Sequence, residues 1–139
     1  MEIRRVLAGV FMLAAIIITG HVTESVFAQD EKHSSAMPGL QILIGNWVRP
    51  DGGYVLEVNN IDNNGNVSAF YFNPKPVKVF KAEAAKKRNM IHLMVELRDI
   101  NYPGSKYNLQ YDPGTDTLKG TYYQAVTKQT FDIVFIRNK

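Results

Sequence analysis

The stretch Gly45-Asn46-Trp47-Val48-Arg49 decides the fold of this chain, because it carries the only tryptophan and opens a series of short alternating segments. From Leu40 to the C-terminus, apolar residues tend to recur at every second position, and turn residues interrupt them at short intervals. A period of two is typical of strands whose two faces have different surroundings. The sequence therefore predicts an all-β domain that begins near this stretch.

The alternating segments are separated by connections too short for a crossover helix, so neighbouring strands should pair antiparallel. The expected fold is an all-β, eight-stranded antiparallel up-and-down barrel, because closure removes the two exposed edges of an open sheet. A β-sandwich is the alternative. Residues 81–87 have a composition typical of helices but are taken as a strand that runs into a turn. The predicted strands are 45–49, 54–60, 67–72, 77–84, 90–98, 106–111, 118–124 and 130–137.

The N-terminal segment has the parts of a secretory signal. Arg4 and Arg5 precede an apolar run over residues 6–19, and Val26-Phe27-Ala28 fits a cleavage site. The run is shorter than the about 20 residues that a membrane-spanning helix needs. We expect residues 1–28 to be a signal peptide, with an uncleaved N-terminal anchor as the alternative.

Cleavage would leave a periplasmic or secreted protein of 139 − 28 = 111 residues, which is enough for one domain with a modest core. We expect a flexible leader over residues 29–39 and a single β-barrel domain over residues 40–139. The chain has no cysteine, so no disulfide framework holds it together. The net charge of +3 is too small to indicate nucleic-acid binding, and no membrane contact is expected after cleavage.

The connections between predicted strands fall into two classes. The second, fourth and sixth are compact hairpin turns, of which Asn63-Asn64-Gly65 is an example. The odd-numbered connections are more irregular and richer in proline and aromatic residues. In an up-and-down meander they meet at one end, which we interpret as the mouth, because loops on a rigid scaffold usually carry function. The odd-numbered connections are residues 49–53, 73–76, 99–105 and 125–128.

The same parity places Trp47 and Arg137 together at the opposite, closed end, where the guanidinium group can lie against the indole. With Gly45, these residues resemble the pattern of the calycin superfamily, which holds lipocalins, fatty-acid-binding proteins and avidins. The resemblance implies the architecture of a small barrel over residues 45–139. Avidins line their pocket with several tryptophans, so biotin binding is not expected here. The strands are also short, which indicates a small or filled cavity.

Aromatic and polar side chains gather at the predicted mouth. Tyrosine presents an apolar ring and a hydroxyl group, which suits recognition of a ligand or a partner surface. Tyr102 precedes a proline, which favours an extended backbone, so we expect it to be held out as an anchor. The alternative is that these residues only fix turns and cover the barrel end. The predicted ligand-binding residues are Tyr71, Asn73, Arg98, Asp99, Tyr102, Tyr123 and Gln124.

The predicted domain has no recognisable catalytic set, and we expect no enzymatic activity, no cofactor and no metal. His92 is its only histidine, whereas a zinc site needs several nitrogen or sulfur ligands. Ser68 and Ser105 have no histidine and acid arranged near them in the sequence.

Two functions are consistent with this pattern. The first is an exported binding barrel that takes a small, partly apolar ligand at its mouth. The second is a protein-interaction module or enzyme inhibitor that acts through the mouth loops. A cavity continuous with the mouth would favour the first function. A filled barrel with Tyr102 and Pro103 protruding from its rim would favour the second.

Overall fold

The computed structural model describes residues 39–139, and the predicted signal peptide and nearly all of the predicted leader lie outside this part of the chain. Within the described part, the chain forms one short 3-10 helix and nine strands. No helix in this range is long and apolar enough to cross a membrane. The elements are η1 (Leu40–Leu43), β1 (Gly45–Val48), β2 (Val55–Ile61), β3 (Val67–Asn73), β4 (Lys75–Val77), β5 (Val79–Lys87), β6 (Met90–Asp99), β7 (Tyr102–Asp112), β8 (Thr117–Gln124) and β9 (Gln129–Asn138).

All nine strands belong to one antiparallel sheet with the order β4-β3-β2-β1-β9-β8-β7-β6-β5. Every neighbouring pair except β1 and β9 is consecutive in the chain, so the predicted all-β antiparallel meander is confirmed. A single sheet rules out the alternative of a two-sheet sandwich. β1 pairs with β9 through a register that sets Trp47 opposite Arg137, and this pairing joins the first strand of the series to the last.

The sheet does not close into a complete barrel, and this part of the prediction is wrong. Its edge strands are β4 and β5, and β5 meets the start of β3 through one isolated bridge, between Asn66 and Glu83. Beside the bridge, the Ala84 N–H donates to the Gly65 carbonyl at 2.8 Å. A Cβ atom at Gly65 would lie only 2.3 Å from the carbonyl oxygen of Ala84, so the two strands approach this closely only at a glycine.

The predicted fourth strand, residues 77–84, is divided into β4 and β5 at Lys78. The Lys78 carbonyl accepts a hydrogen bond from the Arg98 N–H at 3.0 Å, and the Lys78 N–H donates to the Asp99 carboxylate at 2.9 Å. These two bonds turn the chain away from β3 and toward β6. The bend leaves the seam between β3 and β5 without a continuous ladder, which is why the sheet stays open.

β5 continues to Lys87, three residues beyond the predicted end of the fourth strand. Its ladder with β6 runs to the pair Lys87 and Met90, so residues 81–87 are strand throughout despite their helical composition. Ala82 and Ala84 are buried on its inner side. Pairing with a neighbouring strand and burial of alternate residues outweigh helix propensity here.

The prediction of a long loop over residues 99–105 is also wrong. Only Ile100 and Asn101 separate β6 from β7. A register shift in the β6–β7 ladder leaves Gly104 as an extra residue, and its φ of 95° is one that glycine adopts readily. Pro103, which has no N–H to donate, is tolerated next to such a bulge. The bulge therefore absorbs residues that the pattern had assigned to a loop.

The core lies on one face of the sheet. β6 shows the predicted alternation, since Leu93, Val95 and Leu97 are buried whereas His92 and Met94 are only half-buried. The other strands add large aromatic side chains to the same core. These are Trp47, Tyr71, Tyr107, Tyr122 and Phe135.

The predicted contact between Trp47 and Arg137 is confirmed. The guanidinium carbon of Arg137 lies 4.1 Å from the Trp47 ring centroid, and the indole N–H donates to the Leu43 carbonyl at 2.9 Å. Arg137 also donates to the Ile42 carbonyl at 2.7 Å and to the Asp116 carboxylate at 2.9 Å. One arginine therefore holds η1 and the β7–β8 turn against the tryptophan, and together they cover this end of the sheet.

Candidate functional site

The odd-numbered connections meet at the other end of the sheet, as the parity of the meander predicts. A cavity of about 140 Å³ opens there, and residues at all four connections line it. Four of the predicted ligand-binding residues lie in its wall. They are Tyr71, Asn73, Tyr102 and Gln124.

Three of the predicted residues do not line this cavity. Arg98 lies with its guanidinium carbon 3.7 Å from the Phe80 ring centroid and donates to the Glu96 carboxylate at 2.8 Å. Asp99 accepts hydrogen bonds from the backbone N–H groups of Ile100 at 2.8 Å and of Lys78 at 2.9 Å, and the bond from Lys78 fixes the corner between β4 and β5. Tyr123 is exposed. Asp99 thus matches the alternative interpretation, in which it fixes a turn, whereas the Arg98 side chain packs against residues of β5 and β6.

Tyr102 does not protrude, contrary to expectation. It is half-buried, and its ring stands edge-on to that of Tyr71, with the centroids 6.4 Å apart. Its hydroxyl group accepts a hydrogen bond from the Asn73 amide at 2.6 Å. This bond links β3 to β7 across the rim of the cavity.

Arg49 is the main residue of the site that the sequence pattern missed. Although it follows β1 in the first connection, it is only 8% exposed. Its Nη1 donates to the Tyr107 hydroxyl at 3.0 Å, while Nε and Nη2 donate to the two Asp51 carboxylate oxygens at 3.0 and 2.5 Å. The sequence did contain a signal for the burial of Arg49. Trp47 faces inward, and a residue two positions later in a strand faces the same way.

Aromatic rings surround the Arg49 guanidinium group. Its carbon lies 4.6 Å from the Tyr54 centroid, 5.7 Å from that of Tyr122 and 6.0 Å from that of Tyr107, within the range of cation–π attraction. Burial by itself would lower the pKa of Arg49, but the hydrogen bonds to Asp51 and Tyr107 outweigh it and raise that pKa. The same bond from Arg49 lowers the pKa of Asp51, so the pair stays ionised and is neutral as a unit.

Two buried tyrosines extend this network inward. The Tyr71 and Tyr107 hydroxyl groups are 2.8 Å apart, and Tyr107 also receives the bond from Arg49. Burial raises the pKa of Tyr107 to about 12 and also raises the pKa of Tyr71. Both phenols therefore keep their protons at neutral pH, and neither is suited to act as a general base.

Other polar groups in the wall have no hydrogen-bond partner among residues 39–139. They include the hydroxyl group of Tyr54, the side-chain amide of Asn101 and Nε2 of Gln124. The Gln124 Oε1 atom, by contrast, accepts a bond from Thr127 at 2.8 Å. The cavity thus offers hydrogen-bond donors and acceptors that a bound molecule could satisfy.

Comparison with family models, curated proteins and solved structures found no match for this chain. The resemblance to the calycins stays an interpretation that rests on Gly45, Trp47 and Arg137. Among residues 39–139, no three histidine, aspartate or glutamate side chains lie together so that they could hold a metal ion. His92 lies half-buried in β6, opposite Ala85 and Gln110 of the neighbouring strands.

Two aliphatic side chains stand at the tips of the mouth turns. Ile100, between β6 and β7, is 94% exposed, and Val126, between β8 and β9, is 62% exposed. Single exposed apolar residues are common on protein surfaces. Here, however, two of them stand at the tips of two turns at the same end of the sheet.

Proposed function

We propose that this protein is an exported, non-enzymatic binding domain that takes one small ligand at the mouth of its sheet. The observation that carries the proposal is the cavity of about 140 Å³ lined by residues at four separate connections. Binding sites are typically concave, with apolar walls and a few well-placed polar groups. The mouth has this composition, with tyrosine rings beside amide and hydroxyl groups that have no partner among the described residues.

The cavity volume limits the size of the ligand. About 140 Å³ is close to the roughly 150 Å³ of an engineered cavity that holds benzene. Beneath it, the interior is filled by the buried rings of Tyr71, Tyr107 and Phe135. The cavity therefore encloses about one six-membered ring, whose substituents would project through the open mouth, and long-chain lipids are disfavoured.

The proposal includes a calycin-like architecture, that of a barrel with an open seam. The bridge between Asn66 and Glu83 supports it, because it brings the two edges of the sheet together at one point. A second support is Gly45, whose φ is 138° and where a Cβ atom would lie 2.8 Å from Arg137 Nη1. Glycine at this position thus gives the arginine room to lie over Trp47.

Export through the predicted signal peptide is the remaining part of the proposal. It places the mature protein in the periplasm or outside the cell, with an N-terminus at or near Gln29. N-terminal sequencing of the exported protein tests this expectation. An intact Met1 in a membrane fraction would contradict it and indicate an uncleaved anchor.

Native mass spectrometry of the protein purified from its own host tests the binding function. We expect a retained molecule with the mass of a one-ring compound. The retained molecule should be lost from Gln124→Ala, because Gln124 lines the cavity, and kept by Asn108→Ala, whose exposed side chain is on the outer face. Loss from Asn108→Ala alone would place the site on the outer face and contradict the proposal.

Recognition of a protein is the second candidate function, and the exposure of Ile100 and Val126 favours it. A partner that docks on the mouth turns would bury both side chains. The double variant Ile100→Ser and Val126→Ser should then lose a co-purifying protein that Gln124→Ala retains. The opposite result would favour the small-ligand function.

A further inference from the structure

We infer that the mouth binds a neutral, polyhydroxylated ring, such as a single sugar residue in its pyranose form. This inference rests on the proposed binding function and names the chemical class of its ligand. It follows from the charge balance, the hydrogen-bonding groups and the rings of the cavity wall.

The charge balance disfavours an ionic ligand. Arg49 is the only charged side chain among the described residues that line the cavity, and all three of its nitrogens already donate, to Asp51 and Tyr107. Arg49 and Asp51 form an ion pair that is neutral as a unit, so a carboxylate ligand would meet no unbalanced positive charge in the wall. An ammonium ligand would find no free carboxylate in the wall. Taking an ion out of water without a counter-charge is unfavourable, so an uncharged ligand fits best.

The hydrogen-bonding groups disfavour a hydrocarbon ligand. The Asn101 amide can donate and accept, Gln124 Nε2 can donate, and the Tyr54 hydroxyl can do both. A hydrocarbon would cover these groups and leave them without partners, which costs free energy. A ring with several hydroxyl groups can satisfy donors and acceptors at once.

The aromatic rings of the wall suit the apolar faces of such a molecule. Tyr54 and Tyr71 have nearly parallel rings, with an interplanar angle of 9° and centroids 6.4 Å apart. Tyr122, which also lines the cavity, is stacked on Tyr107 at 4.5 Å. A pyranose has C–H groups on its two faces and hydroxyl groups around its edge. The faces can therefore pack on tyrosine rings while the edge bonds to amide and hydroxyl groups.

A titration of the isotope-labelled protein, followed by backbone and side-chain amide NMR signals, tests the inference. The probes are glucose, galactose, mannose and inositol, with glucuronate and glucosamine as charged rings of similar size and phenol as an apolar ring. We expect at least one neutral polyol to shift the side-chain signals of Asn101 and Gln124 saturably. The charged analogues should bind at least about tenfold more weakly than the neutral polyol.

Two single-residue variants show where the neutral polyol binds. Gln124→Ala should weaken the binding of the neutral polyol about tenfold, and Asn108→Ala, a matched amide change on the outer face, should leave it unchanged. An unaltered spectrum outside the mouth shows that Gln124→Ala is folded. Wild-type affinity in folded Gln124→Ala would overturn the inference.

The panel separates failure of the inference from failure of the proposed function. If phenol or a charged ring saturates the mouth and no neutral polyol binds, the inference is overturned while the binding function stands. If none of the probes shifts a mouth signal and native mass spectrometry shows no retained molecule, both are overturned.

Discussion

Trp47 and Arg49 lie two residues apart and face the same side of the sheet, yet they serve its two ends. Trp47 is fully buried beneath Arg137, whereas Arg49 is buried among tyrosines at the mouth. Each end thus places one guanidinium group against aromatic rings. At the closed end the arginine donates to two backbone carbonyls and to Asp116, and at the mouth it donates to Asp51 and Tyr107.

Trp47→Ala should lower the free energy of unfolding by about 3–5 kcal/mol, the usual range for deleting a large buried aromatic side chain. Urea denaturation measures this change. Arg137→Ala should cost less but should shift the tryptophan fluorescence, because the guanidinium group lies 4.1 Å from the ring centroid. Lys87→Ala, an exposed control, should change little. A Trp47→Ala curve that overlays the wild type would contradict the packing described here.

The buried tyrosines predict a loss of stability at alkaline pH. Burial raises the pKa of Tyr107 to about 12 from 10.0, so the folded state keeps a proton that the unfolded chain releases. The stabilising contribution is therefore complete below about pH 10 and is lost as the pH rises toward about 12. Urea midpoints measured across this range should fall less steeply for Tyr107→Phe than for the wild type. An equal slope would show that Tyr107 does not contribute, and Tyr123→Phe, at an exposed residue, is the control.

At the scale of the elements, local backbone features set where strands bend and how closely they approach. The bonds of Lys78 divide the fourth predicted strand, and the bulge at Gly104 shortens the β6–β7 connection to two residues. Gly120 in β8 permits another close approach. A Cβ atom there would lie 2.0 Å from the Asn108 carbonyl oxygen and 3.0 Å from the Leu109 Cα.

Gly120→Ala should destabilise the domain by about 1–3 kcal/mol or more, the cost of overpacking. The atoms that the new methyl group meets belong to the backbone of β7, so β7 and β8 would have to separate. Thermal and urea unfolding measure the effect. Thr121→Ala, at the next residue, is the control and should cost less, because its side chain faces outward. Wild-type stability of Gly120→Ala would mean that the two strands can part freely.

At the scale of the whole molecule, the sheet brings its four odd-numbered connections around one small cavity. The closed end is covered by η1, beside which lies an apolar groove of about 290 Å³, whereas the mouth carries polar groups that have no hydrogen-bond partner among residues 39–139. The largest exposed apolar side chains of the mouth turns, Ile100 and Val126, lie at the same end. The asymmetry between the two ends is the main reason for placing function at the mouth.

Tyr102→Ala should weaken binding of the mouth ligand by about 1 kcal/mol or more, because Tyr102 lines the cavity and bonds to Asn73 at its rim. Arg98→Ala should leave binding unchanged, since Arg98 lies against Phe80 and not in the wall. Calorimetry with the retained molecule measures both affinities. Both variants should lower the melting temperature less than Trp47→Ala does. Loss of binding in Arg98→Ala but not in Tyr102→Ala would place the site elsewhere.

The strands themselves could be predicted from the sequence because their signals are local. Alternation assigned Leu93, Val95 and Leu97 to the core, and the parity of a meander paired Trp47 with Arg137. The same parity placed the odd-numbered connections together at the mouth. Tyr71, Asn73, Tyr102 and Gln124 could therefore be placed there before any contact was known.

The seam, the short β6–β7 connection and the role of Arg49 could be decided only by tertiary structure. Whether β5 pairs with β3 depends on the bend at Lys78, which is held by Arg98 and Asp99 from another strand. Whether Arg49 could be buried depended on Asp51 and Tyr54 of its own connection and on Tyr107 and Tyr122 of β7 and β8, which together balance the cost of burying its charge. The sequence by itself determined which residues face inward, because that is a property of each strand. The tertiary structure decided which of them meet, because contacts between strands depend on registers, bulges and bends summed over the whole sheet.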